Sequence, residues 1–74
     1  MNDVATFLEL VRDELGLAVD EDALDRPLDQ LEAWDSVQLL RLIGVLEAEV
    51  GRPLSFPDVI RARSLRAIHA VVTG

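Results

Sequence analysis

Cysteine, lysine and tyrosine are all missing from this sequence of 74 residues. Without cysteine, the chain can have no disulfide framework and no cysteine-ligated metal site. It also has a single histidine, His69, and no glycine-rich phosphate loop. A lone histidine beside an apolar helical stripe is usually a packing or solvated residue, and nothing in the sequence supplies a third group to orient a Ser36–His69 pair. We therefore expect no catalytic residues, no metal site and no enzyme activity of the chain's own.

Basic residues are few as well, because seven arginines oppose fourteen aspartates and glutamates and leave a formal net charge of −7. The imbalance is concentrated in residues 1–35, which contain eleven of the acids and two of the arginines. Residues 36–74 contain three acids and five arginines. Nucleic-acid binding depends on a basic surface that neutralises phosphates, so we expect no nucleic-acid partner. Proteins with basic surfaces are better matched to the N-terminal half.

No apolar run approaches the roughly 20 residues that a membrane-spanning helix needs. The start Met1-Asn2-Asp3 also lacks the basic residues and the apolar run of a signal peptide. We expect a soluble cytoplasmic protein with no membrane partner. Half of the residues are hydrophobic but only two Phe and one Trp are aromatic, so the core should be mainly aliphatic. The length and composition predict one globular domain over residues 1–74.

Helical spacing of apolar residues begins near the N-terminus, with Asn2 or Asp3 as the cap and Gly16 as the stop. The apolar positions of this helix are Val4, Phe7, Leu8, Val11 and Leu15. Residues 17–35 follow no single period, although five aliphatic side chains recur among the acids and Pro27 interrupts the middle. We expect a long ordered loop with one short turn, held to the bundle by those side chains, because a structureless loop of this length is uncommon in a compact domain.

The densest apolar segment runs from Ser36 to Val50 and ends at Gly51. Asp35 is a good N-cap for this helix, and Gln38 is positioned to reach back and complete a variant capping box. One helical stripe is interpreted as core: Leu39, Leu42 and Leu46. A second stripe begins beside the serine and is expected to be partly exposed: Val37, Leu40 and Gly44.

Two shorter helices complete the pattern. Pro57 is suited to open a short helix near residues 58–62, with Ser55 available as its cap. Ser64 is expected to cap the last helix, whose apolar positions are Leu65, Ile68 and Val72. The arginines around these helix starts, Arg61, Arg63 and Arg66, fit either a solvated face that balances the acidic half or a surface that attracts a phosphate or an acidic partner.

The triplet Asp35-Ser36-Val37 at a helix start, the leucines that follow it in helical register and the helix end Glu47-Ala48-Glu49-Val50-Gly51 resemble the acyl and peptidyl carrier proteins. The form with Trp34 before the triplet is similar to the small stand-alone, type II carriers of natural-product pathways. The resemblance covers the whole chain and implies an all-α, four-helix carrier-protein bundle with a long first loop and a short third helix. It also implies that Ser36 receives a covalent 4′-phosphopantetheine arm from coenzyme A, and that the thiol of this arm holds thioester intermediates.

The residues themselves suit this chemistry. A hydroxyl at a helix N-terminus is a good anchor, because the exposed N–H groups and the positive end of the helix dipole favour a phosphodiester. A chain without cysteine can hold a thioester only on an added group. Taken alone, Asp35-Ser36 also fits a plain helix cap. For Asp35 the resemblance adds transferase recognition through the magnesium ion that the transferase uses. Trp34 is expected to pack against the bundle, with a partner contact as the alternative.

Partners are expected to dock on the second helix. The predicted docking residues are Val37, Gln38, Leu40, Arg41, Gly44 and Glu47. Fatty-acid-synthase carriers have acids along this helix, whereas Gln38 and Arg41 stand at exposed positions here, which argues against a primary role in fatty-acid synthesis. For Arg41, an ion pair with an acid of the N-terminal half is an equal alternative. For Gly44, close packing inside the domain is the alternative to partner access.

The resulting hypothesis is a non-catalytic, monomeric carrier protein of polyketide, nonribosomal peptide or specialised fatty-acid biosynthesis, including antibiotic biosynthesis. Its expected partners are a phosphopantetheinyl transferase, an acyl- or aminoacyl-loading enzyme, and a downstream acyltransferase, ketosynthase or condensation enzyme. The alternative is a small helical protein–protein interaction domain without a prosthetic group.

Overall fold

The computed structural model describes residues 3–73, and within this range the regular structure is helical with no strand. Four α-helices follow one another: α1 (Val4–Leu15), α2 (Ser36–Val50), α3 (Phe56–Arg61) and α4 (Leu65–Thr73). The predicted all-α, four-helix fold with a long first connection and a short third helix is confirmed.

Helix α1 begins and ends where its capping residues predict. Asp3 accepts a hydrogen bond from the Ala5 N–H at 3.0 Å, and the alternative cap, Asn2, lies outside the described residues. Gly16 has a φ of 68°, in the left-handed region, and its N–H donates to the Arg12 carbonyl at 3.0 Å. A glycine adopts this conformation with little strain, which is why the helix stops there.

The connection between α1 and α2 is ordered, and it contains two short 3-10 turns at Glu21–Asp25 and Leu28–Gln30 rather than the single turn that the sequence suggested. Its aliphatic side chains point into the core, as predicted. Leu17, Val19, Leu24 and Leu31 are buried and Leu28 is half-buried. The Leu28 N–H also donates to the Arg63 carbonyl at 2.9 Å, so the connection is tied to the segment between α3 and α4.

One hydrophobic cluster joins all four helices and the connection. Its fully buried large side chains are Phe7, Val11, Leu24, Leu42, Leu46, Val59, Leu65 and Ile68. Burial of such side chains is the main stabilising term for a chain of this size. The Leu42 and Leu46 stripe of α2 is therefore core, as predicted, whereas Leu39 is half-buried against the same cluster.

The last two helices differ slightly from their predicted forms. Helix α3 begins at Phe56, two residues before the predicted start, and Ser55 occupies its N-cap position without a side-chain hydrogen bond. Ser64 does cap α4, since its Oγ accepts a hydrogen bond from the Ala67 N–H at 3.1 Å. No helix within residues 3–73 is long and apolar enough to span a membrane.

Candidate functional site

Ser36 is the first residue of α2 and is exposed. Asp35 precedes it as an extended N-cap residue, and one Asp35 carboxylate oxygen accepts a hydrogen bond from the Gln38 N–H at 2.9 Å. The Leu39 N–H donates to the Asp35 carbonyl at 3.1 Å, the first hydrogen bond of the helix. The hydroxyl thus stands at the positive end of a 15-residue helix, an environment that stabilises an added anion.

Gln38 behaves differently from its prediction. Its Nε2 donates to the Leu15 carbonyl at 3.4 Å, so the side chain turns toward the end of α1 and does not complete the capping box with Asp35. The Gln38 Oε1 atom is buried and has no hydrogen-bond partner among the described residues. Gln38 is half-buried in the α1–α2 contact, which leaves little of it available on a docking face.

An open groove of about 370 Å³ lies beside Ser36, between the start of α2, the second 3-10 turn and α3. Its apolar lining is formed by Leu28, Trp34, Leu39, Val59, Ile60 and Ala62, and its acidic lining by Asp29 and Asp35. Trp34 is half-buried and packs against the core, which agrees with its predicted packing role. The same ring also lines the groove.

The side of α2 that faces away from the core is apolar and carries one cation. Val37 and Leu40 are 57% and 59% exposed, and Arg41 and Gly44 are exposed beside them. At 100° per residue, the acids of α2 fall outside this sector, on its flanks. Within residues 3–73, the one ion pair joins Arg66 to Asp25, so the predicted alternative of an Arg41 ion pair is not observed.

Two of the predicted docking residues, Glu47 and Gly44, have different surroundings. The Glu47 carboxylate accepts a hydrogen bond from the Leu54 N–H at 2.9 Å and is half-buried, so it supports the turn after α2. Gly44 has no atom within 4 Å of the position that a Cβ would occupy. Open space at this point removes the alternative that Gly44 serves close packing within the fold.

Two exposed apolar residues were missed by the sequence reasoning. Phe56 and Ile60 are 45% and 53% exposed on α3. They are four residues apart and so share one side of a helix, while Val59 occupies the core side. The four-residue spacing was the signal in the sequence. A six-residue helix is too short for its apolar pattern to distinguish a core side from an exposed side.

The remaining polar candidates, His69 and Arg66, contact other side chains of the fold. His69 is half-buried and its ring lies 5.1 Å from the Phe7 ring, centroid to centroid. Arg66 Nε donates to an Asp25 carboxylate oxygen at 2.7 Å, and this hydrogen bond, with the charge of Asp25, raises the pKa of Arg66 above its ordinary value. Residues 3–73 include no group of three or more His, Cys, Asp or Glu side chains arranged to hold a metal ion.

Comparison with known protein families gives a match that covers most of the chain. The family model described as the phosphopantetheine attachment site matches residues 5–72, nearly the full chain. No curated protein and no solved structure matches the chain. Proteins of the matched family have a covalent 4′-phosphopantetheine group and interact with phosphopantetheinyl transferases and biosynthetic enzymes. An exposed hydroxyl at a helix N-terminus, beside an open groove, fits such a group. The chain therefore belongs to the phosphopantetheine attachment site family, the family of acyl and peptidyl carrier proteins.

Proposed function

We propose that this chain is a discrete, monomeric carrier protein, one domain over residues 1–74, in which Ser36 bears the phosphopantetheine arm. The observation that carries the proposal is the position of Ser36, which combines an exposed hydroxyl, the N-terminus of α2 and an N-cap carboxylate from Asp35. The family match supplies the cofactor, and the helix N-terminus supplies an environment that stabilises its phosphate.

The other hydroxyl groups of the chain are less suitable anchors. Ser64 is half-buried and its Oγ caps α4, and the Thr73 hydroxyl donates to the His69 carbonyl at 3.1 Å. Thr6 is exposed in the first turn of α1, but its hydroxyl is secondary and more hindered than that of a serine. Ser55 is exposed at the start of α3, a helix of six residues with a much smaller dipole than α2. Ser36 is the hydroxyl that best combines access with charge stabilisation.

The attachment reaction is a phosphoryl-type transfer catalysed by the transferase. The Ser36 Oγ forms a bond to the phosphorus nearest the pantetheine of coenzyme A, the diphosphate P–O bond breaks, and adenosine 3′,5′-bisphosphate leaves. The hydroxyl proton passes to a base of the transferase. Once attached, the arm supplies a terminal thiol that holds an acyl or aminoacyl group as a thioester. The chain has no cysteine, so it has no thiol of its own to compete.

Asp35 serves two purposes in this proposal. One carboxylate oxygen caps α2, and the second stays available for the magnesium ion that the transferase uses. Since Asp35 is exposed, the carboxylate is accessible to an enzyme that approaches Ser36. The chain contributes position and charge, and the catalytic groups belong to the transferase and to the enzymes that use the thioester.

Partner enzymes dock on the outward side of α2, which we name the α2 face: Val37, Leu40, Arg41 and Gly44. Three observations support docking at the α2 face. Two aliphatic side chains are exposed, the Arg41 guanidinium has no ion pair within residues 3–73, and the space above Gly44 is open. An apolar patch with one cation differs from the acidic helix of fatty-acid-synthase carriers. We therefore propose a polyketide or nonribosomal peptide type pathway, with a loading enzyme and a downstream acyltransferase, ketosynthase or condensation enzyme as partners.

A second candidate is an interaction domain that uses these apolar side chains without any prosthetic group. The exposure of Val37, Leu40, Phe56 and Ile60 favours it, since such side chains often mark protein contacts. The two candidates differ at Ser36, because replacing one hydroxyl leaves an apolar contact largely intact but abolishes a carrier.

The experiment is an intact-mass measurement of the purified chain after incubation with coenzyme A, magnesium and a promiscuous phosphopantetheinyl transferase. Wild type and Ser55→Ala should each gain one phosphopantetheine, whereas Ser36→Ala should gain none. Ser55→Ala is the matched control because Ser55 is also an exposed serine at a helix start. No gain on a wild-type chain shown by circular dichroism to be folded would reject the carrier proposal in favour of the interaction domain.

A further inference from the structure

A second cavity, of about 540 Å³, lies within the α1–α2 connection itself. It is bounded by the segment that follows α1, the first 3-10 turn and the segment that leads to Trp34. Its apolar lining consists of buried side chains: Leu17, Val19, Ala23 and Leu31. The volume is within the roughly 300–1,000 Å³ range of small-molecule pockets. Ser36 and the α2 face do not line this cavity, which we name the connection cavity.

Both signs of charge line the connection cavity without neutralising each other. Arg26, Asp20 and Glu32 are exposed members of its lining. The one ion pair within residues 3–73 joins α4 to the first 3-10 turn, so Arg26 forms no ion pair with either of these carboxylates. One Asp20 oxygen accepts the Ala23 N–H at 3.2 Å, which leaves the second oxygen available. One guanidinium and two carboxylates therefore line the same cavity beyond ion-pair distance.

We propose that the connection cavity binds a free zwitterion of the α-amino-acid class with a small aliphatic side chain. The ligand carboxylate pairs with Arg26, its ammonium pairs with Asp20 or Glu32, and its side chain contacts the apolar lining. A singly charged ligand fits less well, because an anion meets two carboxylates and a cation leaves the guanidinium unpaired. The ligand is a free molecule, so its binding does not depend on an arm at Ser36.

Ala33 joins the connection cavity to the segment that leads into α2. It lines the cavity with a φ of 64°, and the next residue, Trp34, lines the groove beside Ser36. Left-handed backbone at a non-glycine residue is concentrated at functional positions, where the surrounding structure maintains the strain. A ligand in the connection cavity contacts this strained residue, so the Ala33 backbone amide should respond to binding.

The expected affinity is low, because the charged groups are exposed and the ligand is small. At the efficiency of ordinary small ligands, an amino acid should bind with a dissociation constant in roughly the millimolar range. Exposed ion pairs each strengthen binding by roughly 1.4- to fivefold. Removal of either charge from the ligand should weaken binding by at least that factor. The preference for the zwitterion should decrease at about 1 M salt, where the Debye length is about 3 Å.

The experiment is an NMR titration of the full, unmodified chain with three ligands of the same carbon skeleton. L-Valine has both charges, isovalerate lacks the ammonium, and isobutylamine lacks the carboxylate. At neutral pH and constant ionic strength, L-valine should shift the backbone amide signals of Gly16, Leu17 and Ala33, which line the cavity. Each analogue should bind roughly 1.4- to fivefold more weakly, or weaker still. The amide signals of α4, which is outside the cavity, should not move.

Matched variants identify the charges responsible. Arg26→Gln should weaken L-valine binding by roughly 1.4- to fivefold and remove the preference for L-valine over isobutylamine. Arg61→Gln, at an exposed arginine that does not line the cavity, should bind L-valine normally. The double variant Asp20→Asn with Glu32→Gln should remove the preference for L-valine over isovalerate. Asparagine is also a good N-cap, so this variant retains the start of the first 3-10 turn.

Preferential binding of L-valine that is weakened in Arg26→Gln and retained in Arg61→Gln supports the zwitterion site. No shift with any ligand at about 100 mM, far above the expected dissociation constant, overturns it. Isobutylamine that binds as tightly as L-valine overturns it too, because the acidic groups alone then account for binding. Equal L-valine affinity in wild type and Arg26→Gln has the same meaning. Modification of Ser36 is measured separately by mass, so each of these results leaves the carrier function to its own test.

Discussion

The Glu47 carboxylate accepts a hydrogen bond from the backbone N–H of Leu54 at 2.9 Å, across the turn that joins α2 to α3. Gly51, with a φ of 72°, ends α2 inside this turn and donates its N–H to the Glu47 carbonyl at 2.9 Å. Glu47 thus holds both ends of the turn, through its side chain and its main chain. This explains why an acid is present at the end of α2 without reference to any partner.

Replacing Glu47 by Ala should lower the free energy of unfolding by about 1–2 kcal/mol, because the half-buried Leu54 N–H loses its acceptor. Glu47→Gln keeps an acceptor oxygen and should recover most of that loss. Urea denaturation measures both. Unchanged stability in Glu47→Ala together with slower cargo transfer would instead return Glu47 to the docking residues.

Gly44→Ala should raise the free energy of unfolding by about 0.5–1 kcal/mol, since alanine is the better helix former and the new methyl group meets no atom within 4 Å. Gly51→Ala is the matched control. Its left-handed φ of 72° should make the same substitution destabilising by about 1 kcal/mol. Thermal denaturation compares the two. If Gly44→Ala is more stable but receives cargo more slowly, partners approach α2 closely at this point. A loss of stability in Gly44→Ala would mean that the space is filled.

Asp35 offers a way to separate capping from transferase recognition. Asp35→Ala should lose about 1 kcal/mol of stability, whereas Asp35→Asn should lose almost none because asparagine caps a helix as well as aspartate. Both variants should be modified more slowly, by roughly tenfold or more if the carboxylate helps to hold the catalytic metal. The rate comes from the time course of the mass increase. Normal modification of Asp35→Asn would leave Asp35 with the capping role alone.

Charge reversal at Arg41 tests the α2 face. Because Arg41 is exposed, Arg41→Glu should change stability by less than about 0.5 kcal/mol. Transfer from a dedicated loading enzyme should slow, and most strongly at low salt, since charges at the rim of an interface mainly affect association rates. Arg26→Glu makes the same change of net charge in the α1–α2 connection and should transfer normally. Equal kinetics for both variants would remove Arg41 from the docking surface.

Ala33, two residues before Asp35, has a φ of 64°, the one left-handed non-glycine residue within residues 3–73. Such a conformation costs alanine about 1–2 kcal/mol. Ala33→Gly should relieve this strain and leave stability unchanged or raised by up to about 1 kcal/mol after the entropy of the unfolded chain is counted. Ala48→Gly, in the exposed part of α2, should lose about 1 kcal/mol. Chemical denaturation of the pair measures the difference, and equal losses would contradict strain at Ala33.

Local rules predicted much of the fold from the sequence. Capping residues are the clearest example, because Asp3, Asp35 and Ser64 each accept the hydrogen bond expected of an N-cap, and Gly16 and Gly51 have the left-handed φ that ends a helix. These features depend on residues only a few positions apart. Helical spacing similarly identified most core side chains of α1, α2 and α4, although Ile43 of α2 is buried and belonged to neither predicted stripe.

The same local rules could not predict interactions between residues that are far apart in the sequence. The Arg66–Asp25 ion pair joins residues 41 positions apart, and Gln38 turns to the Leu15 carbonyl 23 positions away instead of completing a local cap. The groove beside Ser36 has the same origin, since Trp34 and Ile60 come from separate segments. No periodicity in one segment reveals which part of another segment will face it.

Tryptic peptide mapping of the modified chain shows which residue carries the arm. Trypsin cleaves after Arg12 and Arg41 but not before Pro27, so one fragment covers residues 13–41, and Ser36 is its only serine or threonine. If Ser36 bears the arm, this fragment, and no other, gains the mass of one phosphopantetheine. The same mass on a fragment with Thr6, Ser55, Ser64 or Thr73 would contradict it.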